Sequence, residues 1–347
     1  MFHTYLTILI PSIVGAVITL IATTFLIRYM RFSGITLIDH NKKSKPVIPT
    51  GVGFGIAFGF SVGLLTYIFG SSFGLYTPVA SLEDLFGIMT SVLLITIVGF
   101  IDDINIRVSK VGSSEEKVGS WAGLKQWQKP VLTFMGAIPL MAINAGVSIV
   151  RIPLVGNIAL SIYYPLVIVP LAIMFGANAF NLLGGFDGIA TGTGTIAIFA
   201  LLLYSIFYGT YTGVLVSGIL FASMLVFTAF NVYPAKMVPG DSFTYFFGAV
   251  IVADMIIGNM ESFGIIIFMP WIIEFLLHAR KKFHTSDLGT LQNDGSFTSK
   301  YGKKIYSWTH VFMRIKRAKE WEISAYMWAV EALFMLLAFG MKSLALL

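Results

Sequence analysis

The sequence of 347 residues contains no cysteine, and only 12% of its residues are charged. The lack of cysteine excludes disulfide bonds and thiolate metal sites. A soluble protein of this length would have about 25% charged residues, whereas 56% of this chain is hydrophobic. The composition therefore excludes an ordinary soluble domain and predicts a polytopic membrane protein. We treat residues 1–347 as a single integral-membrane domain.

The first thirty residues lack a basic segment ahead of their apolar run and lack a convincing small-residue cleavage site. A secretory signal peptide has both features, so we interpret this segment as a retained first span. A membrane-crossing helix needs about 20 mainly apolar residues. The sequence on this basis predicts an all-α fold of about ten transmembrane helices. The predicted spans are residues 5–27, 52–69, 85–101, 131–147, 158–176, 189–208, 213–230, 243–257, 263–277 and 323–340.

Lysine and arginine are nearly confined to one side of this predicted bundle. All 23 of them, apart from Arg151 and Lys342, fall in the loops after odd-numbered spans. Positively charged loops stay in the cytoplasm, so both termini are predicted to be extracytoplasmic. The net charge of +6 then reflects membrane orientation, and no nucleic-acid partner is expected. The polar loops share this cytoplasmic face, whereas a transporter would place ionisable groups at mid-membrane depth.

Residues 177–191, ANAFNLLGGFDGIAT, form a polar break between two apolar runs. Asn178, Asn181 and Asp187 bring two amides and a carboxylate together, and glycines such as Gly185 let the backbone approach a ligand closely. A polar segment of this kind is tolerated only where protein buries it or where it lines water. The stretch is therefore a candidate site, although an ordinary short loop between helices would look similar.

Acidic residues mark the cytoplasmic ends of two other predicted spans. Asp102 and Asp103 directly follow an apolar run, where adjacent carboxylates can hold a divalent cation or can simply be charges at a span end. Asp241 precedes the eighth predicted span, a position at which aspartate is also a common helix cap. Magnesium usually takes one or two protein oxygen ligands plus phosphate oxygens. Asn181 and Asp241 are the candidates for that role.

Basic residues on the same face could bind phosphate. Lys129 begins the fourth predicted span, and Arg280, Lys282 and His284 follow the ninth. Such residues are often positive-inside anchors of the membrane orientation. A phosphate-bearing substrate on this face would nevertheless need cations to offset its developing negative charge.

In this order, the motifs resemble those of the polyprenyl-phosphate N-acetylhexosamine-1-phosphate transferase superfamily over nearly the whole chain. Asp102-Asp103 resembles its paired-aspartate motif, Asn178-Ala-Phe-Asn181 its Asn-x-x-Asn motif, and Gly240-Asp241-Ser242 its Gly-Asp-Ser/Thr motif. The ninth loop resembles that of the archaeal and eukaryotic UDP-GlcNAc:dolichyl-phosphate GlcNAc-1-phosphate transferases.

The resemblance implies a role for each candidate residue. Mg²⁺, with Mn²⁺ as a substitute, would be held by Asn181 and Asp241. Lys129 would contact the diphosphate, and Asp102 or Asp103 would orient or deprotonate the lipid phosphate. The remaining substrate-binding candidates are Asn178, Gly185, Asp187, Arg280, Lys282 and His284.

The implied reaction moves GlcNAc-1-phosphate from UDP-GlcNAc to a polyprenyl or dolichyl phosphate and releases UMP, as the first membrane step of lipid-linked oligosaccharide assembly for N-glycosylation. The expected partners are this UDP-N-acetyl sugar, the lipid phosphate, membrane lipids and a second copy of the chain in a homodimer. The expected location is the cell membrane, or the endoplasmic reticulum in a eukaryote. The alternatives are a sister enzyme using another UDP-N-acetylhexosamine and a non-enzymatic lipid or solute transporter.

Overall fold

The computed structural model describes residues 2–75, 77–104, 124–147, 149–152 and 156–347. Within these ranges the chain is mostly helical, with thirteen α-helices and one π-helical segment at Tyr164–Ile168. The α-helices are α1 (Phe2–Phe32), α2 (Phe54–Ser72), α3 (Leu82–Ile104), α4 (Gln128–Gly136), α5 (Ile138–Ala142), α6 (Val169–Phe180), α7 (Ile189–Tyr208), α8 (Tyr211–Asn231), α9 (Asp241–Ile257), α10 (Glu261–Ile267), α11 (Met269–Ala279), α12 (Trp308–Ile315) and α13 (Glu320–Ser343).

Each of the ten predicted apolar runs overlaps one or two of these helices. In the described ranges, six helices are long and apolar enough to cross a membrane: α1, α2, α3, α7, α8 and α13. Helices α10 and α11 add a seventh span if the pair, bent by 57°, is counted as one. The predicted runs 131–147, 158–176 and 243–257 fall on shorter or interrupted helices. The protein is thus an integral membrane protein, and the count of ten spans stays a prediction.

The expectation of an all-α fold missed seven short strands in the loops. They are β1 (Thr36–Ile38), β2 (Val47–Pro49), β3 (Ile149–Ile152), β4 (Gly156–Ala159), β5 (Gly289–Leu291), β6 (Ser296–Ser299) and β7 (Ala318–Lys319). All pairings are antiparallel: β1 with β2, β3 with β4, and β6 with both β5 and β7. Such strands escaped a search for long apolar runs, although Asn293-Asp294-Gly295 between β5 and β6 is a typical hairpin turn.

Helix α9 is the centre of the bundle. Every residue from Ser242 to Ile256 is buried, and the helix packs against α2, α3, α6, α7 and α8. A helix that is apolar around its whole circumference must be surrounded by other helices. The N-terminus of α9 carries Asp241, so the most enclosed helix of the protein fixes the position of a candidate metal ligand.

An aromatic cluster holds α6 beside α9 and α11. The ring of Phe180 lies 4.7 Å from that of Phe247 and 5.0 Å from that of Trp271, measured between centroids. Phe180 is fully buried and is the last residue of α6, directly before Asn181. The packing of this ring therefore sets where the amide of Asn181 is presented.

We expect Phe180→Ala to lower the free energy of unfolding by about 3–5 kcal/mol, because it leaves a large cavity in this cluster. The measurement is the thermal unfolding midpoint of the detergent-solubilised protein. Phe207→Ala is the matched control, because Phe207 is 67% exposed and its removal opens no cavity. Equal midpoints for the two variants would contradict the proposed importance of the cluster.

Candidate active site

The carboxylate of Asp103 joins the end of α3 to the start of α9. Its Oδ1 accepts the backbone N–H of Asp241 at 2.7 Å, and its Oδ2 accepts that of Ser242 at 2.9 Å. The first N–H groups of a helix have no partner inside the helix, and a carboxylate there is favoured by the helix dipole. Gly240 has a φ of +81°, and a Cβ on it would lie 2.5 Å from Asp103 Oδ2, so only glycine allows this close junction.

A lysine bridges two of the candidate carboxylates. The ammonium of Lys129, at the start of α4, lies 2.7 Å from Asp102 Oδ2 and 2.9 Å from Asp241 Oδ2. Asp102 Oδ1 also accepts the backbone N–H of Leu124 at 2.6 Å. Buried like charges repel unless a cation lies between them, so Lys129 allows two acids to share this small volume. The structure thereby brings together three of the residues that the sequence singled out.

The two asparagines of the polar stretch belong to the same end of the bundle. Asn181 Nδ2 lies 3.5 Å from Asp241 Oδ2, and Asn181 Oδ1 accepts a 2.5 Å hydrogen bond from Thr244 Oγ1. Asn178 Nδ2 donates to Thr133 Oγ1 at 2.9 Å and thereby ties α6 to α4. Asn181 is consequently a neighbour of the candidate metal ligand Asp241. The amide nitrogen of Asn178 instead holds two helices together.

The donor atoms around Asp241 fit a hard divalent cation. Asp241 and Asn181 carry carboxylate and amide oxygens, which are the ligands that magnesium prefers. In this structure Asn181 Oδ1 accepts from Thr244 and Asn181 Nδ2 faces Asp241, so the amide would have to turn over to offer its oxygen to a cation beside Asp241. No group of three or more histidine, aspartate and glutamate residues that could hold a metal ion occurs in the part of the chain that the structure describes. A cation bound here would thus need water or substrate oxygens to complete its coordination, as magnesium commonly does.

A cavity of about 370 Å³ opens beside this cluster. Its polar end is formed by Lys129, Asn178 and Asn181. The rest of its lining is largely apolar and includes Pro130, Met174, Phe175, Leu182, Phe275 and Phe283. A cavity with a charged end and an apolar body suits an amphipathic ligand that has a charged head and a hydrocarbon tail.

Asp187 belongs to a second ionic cluster beyond the polar stretch. Its Oδ2 accepts from Lys42 Nζ at 2.6 Å and from the backbone N–H of Ala235 at 2.8 Å. Lys42 also pairs with Asp39 and, at 3.4 Å, with Glu320. Burial lowers the pKa of the Lys42 ammonium, but its hydrogen bonds to Asp187 and Asp39 outweigh burial and raise the pKa overall. Lys42 therefore stays charged and holds Asp187 in place.

The basic candidates of the ninth loop make no hydrogen bond to the carboxylate cluster in the part of the chain that the structure describes, although Phe283, between Lys282 and His284, lines the cavity. Arg280, Lys282 and His284 are exposed. Arg280 donates to the carbonyl of Ile305 at 3.2 Å, and the His284 ring bonds the carbonyl of Lys282 at 2.8 Å. Their recorded hydrogen bonds thus lie within their own loop, and direct roles for these three residues stay predictions.

Several residues near the site were missed by reading the sequence. Lys42, Asn41 and Asp287 bind the polar stretch from loops that are distant in the chain. Asn41 and Lys42 lie in a polar run that begins at His40, and that run was the available signal. Asp287 begins the part of the ninth loop that resembles archaeal members of the family, but that resemblance assigns no role to this residue.

The comparisons with known proteins cover most of the chain. Residues 85–259 match the family model described as glycosyl transferase family 4. The chain is 33% identical over 336 residues to a protein of Saccharolobus solfataricus, with 96% of each chain covered. It is 32% identical over 345 residues to a protein of Sulfolobus acidocaldarius, with 97% of each covered. Both relatives have the provisional name UDP-N-acetylglucosamine–dolichyl-phosphate N-acetylglucosaminephosphotransferase.

A more distant similarity covers about half of the chain. A phospho-N-acetylmuramoyl-pentapeptide-transferase of Halalkalibacterium halodurans is 32% identical over 180 residues, which are 51% of this chain and 50% of that protein.

We expect Asp103→Ala to expose the first two N–H groups of α9, because both oxygens of Asp103 are used there. The backbone amides of Asp241 and Ser242 should then exchange hydrogen faster. The free energy of unfolding should fall by about 1 kcal/mol, which is typical of removing a helix cap. Hydrogen exchange followed by mass spectrometry measures this change. Asp102→Ala is the control, since Asp102 does not cap α9, and unchanged exchange in Asp103→Ala would contradict the interpretation.

Proposed function

The chain belongs to glycosyl transferase family 4, and on that premise we propose that it transfers GlcNAc-1-phosphate from UDP-GlcNAc to a dolichyl or other polyprenyl phosphate and releases UMP. The observation that carries this proposal is the cavity that joins the Asp102–Lys129–Asp241 cluster to an apolar wall. A lipid phosphate has the matching chemistry, and the names of the two archaeal relatives support the donor.

Asp102 is the better candidate of the aspartate pair for contact with substrate. Asp103 has both oxygens on the backbone of α9, so we assign it the task of positioning Asp241. Asp102 shares Lys129 with Asp241, and Lys129 in turn lines the cavity. The second pKa of a phosphate monoester is about 6, so the lipid phosphate is largely ionised near neutrality. An orienting role for Asp102 is therefore sufficient.

Lys129 supplies positive charge where the phosphates would react. Phosphoryl transfer relies mainly on positioning and on electrostatic stabilisation of the transferred group. The ammonium already lies between two carboxylates, so it is held in place before substrate arrives. When bound by Asp241 and Asn181, magnesium would neutralise diphosphate charge and assist departure of UMP.

The apolar wall of the cavity is where we place the start of the isoprenoid chain. Each buried CH₂ is worth about 0.8 kcal/mol, so the lipid would enter from the bilayer without leaving its apolar surroundings. The distribution of lysine and arginine predicts that this end of the bundle faces the cytoplasm, where UDP-sugars are available. We accordingly propose a site at the cytoplasmic face of the cell membrane, within a bundle of about ten spans.

We expect purified protein to release UMP from UDP-GlcNAc only when dolichyl phosphate and Mg²⁺ or Mn²⁺ are both present. Asp241→Ala and Asn181→Ala should each lose at least about 100-fold in turnover, in the range found when a group stabilising the transition state is removed. Thermal unfolding midpoints of both variants establish that they are folded. If either folded variant kept near-full activity, the metal assignment would be wrong.

A panel of UDP-sugars separates this proposal from its alternatives. We expect the lipid-linked product formed from UDP-GlcNAc to exceed that formed from UDP-GalNAc or a diacetamido sugar at equal concentration, as measured by product mass. A sister enzyme would reverse that order. A transporter would move substrate across reconstituted vesicles without any release of UMP.

A further inference from the structure

Side chains from two distant loops bind the backbone of Gly184 and Gly185, a segment that we call the Gly184–Gly185 peptide. Asp287 Oδ2, in the loop before β5, accepts the backbone N–H of Gly184 at 3.1 Å and that of Gly185 at 2.7 Å. From the opposite side, Asn41 Nδ2 donates to the carbonyl oxygen of Gly185 at 2.7 Å. Both polar groups of Gly185 are thus held by side chains that lie more than 100 positions away in the chain.

The space beside Gly185 is filled. A Cβ on Gly185 would lie 2.7 Å from Asp287 Oδ1 and 2.7 Å from Leu288 Cδ2, distances at which atoms clash. Asp287 can therefore approach closely because residue 185 has no side chain. The two glycines leave the stretch flexible by itself, since glycine loses more conformational freedom on folding than any other residue.

The backbone around Asp287 is itself held by hydrogen bonds to other residues of the ninth loop. Its carbonyl oxygen accepts from Thr309 Oγ1 at 2.5 Å, and the carbonyl of Ser286 bonds the ring Nε2 of His310 at 3.1 Å. Ser286 also donates its N–H to Tyr301 Oη at 3.1 Å. These contacts tie the Asp287 segment to α12, so the Asp287 carboxylate is part of a built structure and not a freely moving loop side chain.

We propose that Asp287 and Asn41 are positioning residues for the nucleotide sugar, because they clamp the Gly184–Gly185 peptide between Asn181 and Asp187. This inference rests on the proposed function. Asn181 lies three residues before the peptide and belongs to the candidate metal site, while Asp187 lies two residues after it in the Lys42 cluster. The clamp holds both flanking groups at a fixed separation before the substrate binds.

The expected signature is a change in apparent affinity for one substrate. Without the clamp, only a fraction of molecules has the stretch correctly arranged, and the apparent dissociation constant rises by the inverse of that fraction. Asp287→Ala should therefore raise the KM for UDP-GlcNAc about tenfold. The kcat and the KM for dolichyl phosphate should stay within about twofold of the parent protein, because the lipid cavity is lined by other residues.

Three further variants make the test specific. Asp287→Asn keeps an oxygen that can accept both N–H groups, so its KM for UDP-GlcNAc should stay close to that of the parent protein. If the negative charge of Asp287 were what mattered, Asp287→Asn would raise the KM as Asp287→Ala does. Asn41→Ala should raise the same KM. In the double variant Asn41→Ala with Asp287→Ala, the KM should increase by less than the product of the two single-variant increases, because both residues hold the same segment. Asp294→Ala, in the same loop, should leave this KM unchanged, because the Asp294 carboxylate accepts from the N–H and hydroxyl of Ser296 and, among the described residues, makes no hydrogen bond to Gly184 or Gly185.

Hydrogen exchange of the Gly184 and Gly185 amides, without substrate, tests the clamp independently of catalysis. Faster exchange of these amides in Asp287→Ala, but not in Asp294→Ala, is the expected result. Unchanged exchange, or equal changes in kcat and both KM values, would overturn the proposal. If the parent protein released no UMP, the proposed function would fail while the exchange result would still decide whether the clamp exists.

Discussion

The contact between the Asp103 carboxylate and the first two N–H groups of α9 is the interaction on which the candidate site depends. It fixes the most enclosed helix of the bundle to the end of α3. Asp102 and Asp241 are carried to the same place, because Asp102 directly precedes Asp103 and Asp241 itself donates one of the two N–H groups. Burying a carboxylate is costly unless it is fully hydrogen bonded, and the uncapped end of α9 provides the bonds that make it tolerable.

Charge compensation explains the arrangement around this junction. Asp102 and Asp241 would repel each other in an apolar bundle, and the Lys129 ammonium between them removes that cost. The same logic recurs at Asp187, where Lys42 is shared among three acids. Each cluster combines acids with one lysine, Lys129 from the start of α4 and Lys42 from the loop between β1 and β2. The polar end of the bundle is therefore held together by ionic contacts between helix ends and loops, while apolar packing holds the helices along their length.

The proposed reaction has two substrates, and the structure offers a different kind of surface to each. The apolar cavity beside α6 and α11 is formed by helices and suits the lipid. The Gly184–Gly185 peptide and Asp187 are held by the loops that include Asn41, Lys42 and Asp287, and we assign them to the nucleotide sugar. Helices provide a rigid wall for a ligand that needs little polar recognition, whereas loops bring hydrogen-bonding groups from distant parts of the chain to a polar ligand.

The sequence alone established the membrane character, the helical runs and the motif residues Asp102, Asn181 and Asp241, because apolar length and local motifs are properties of consecutive residues. Only the tertiary structure separated Asp103 from Asp102, since adjacent residues in a helix point in different directions. It also gave Arg280 and His284 hydrogen-bond partners within their own loop, and it brought Asn41 and Asp287 to Gly185. Contacts between residues more than 100 positions apart depend on how loops fold over the bundle, and no local pattern encodes them.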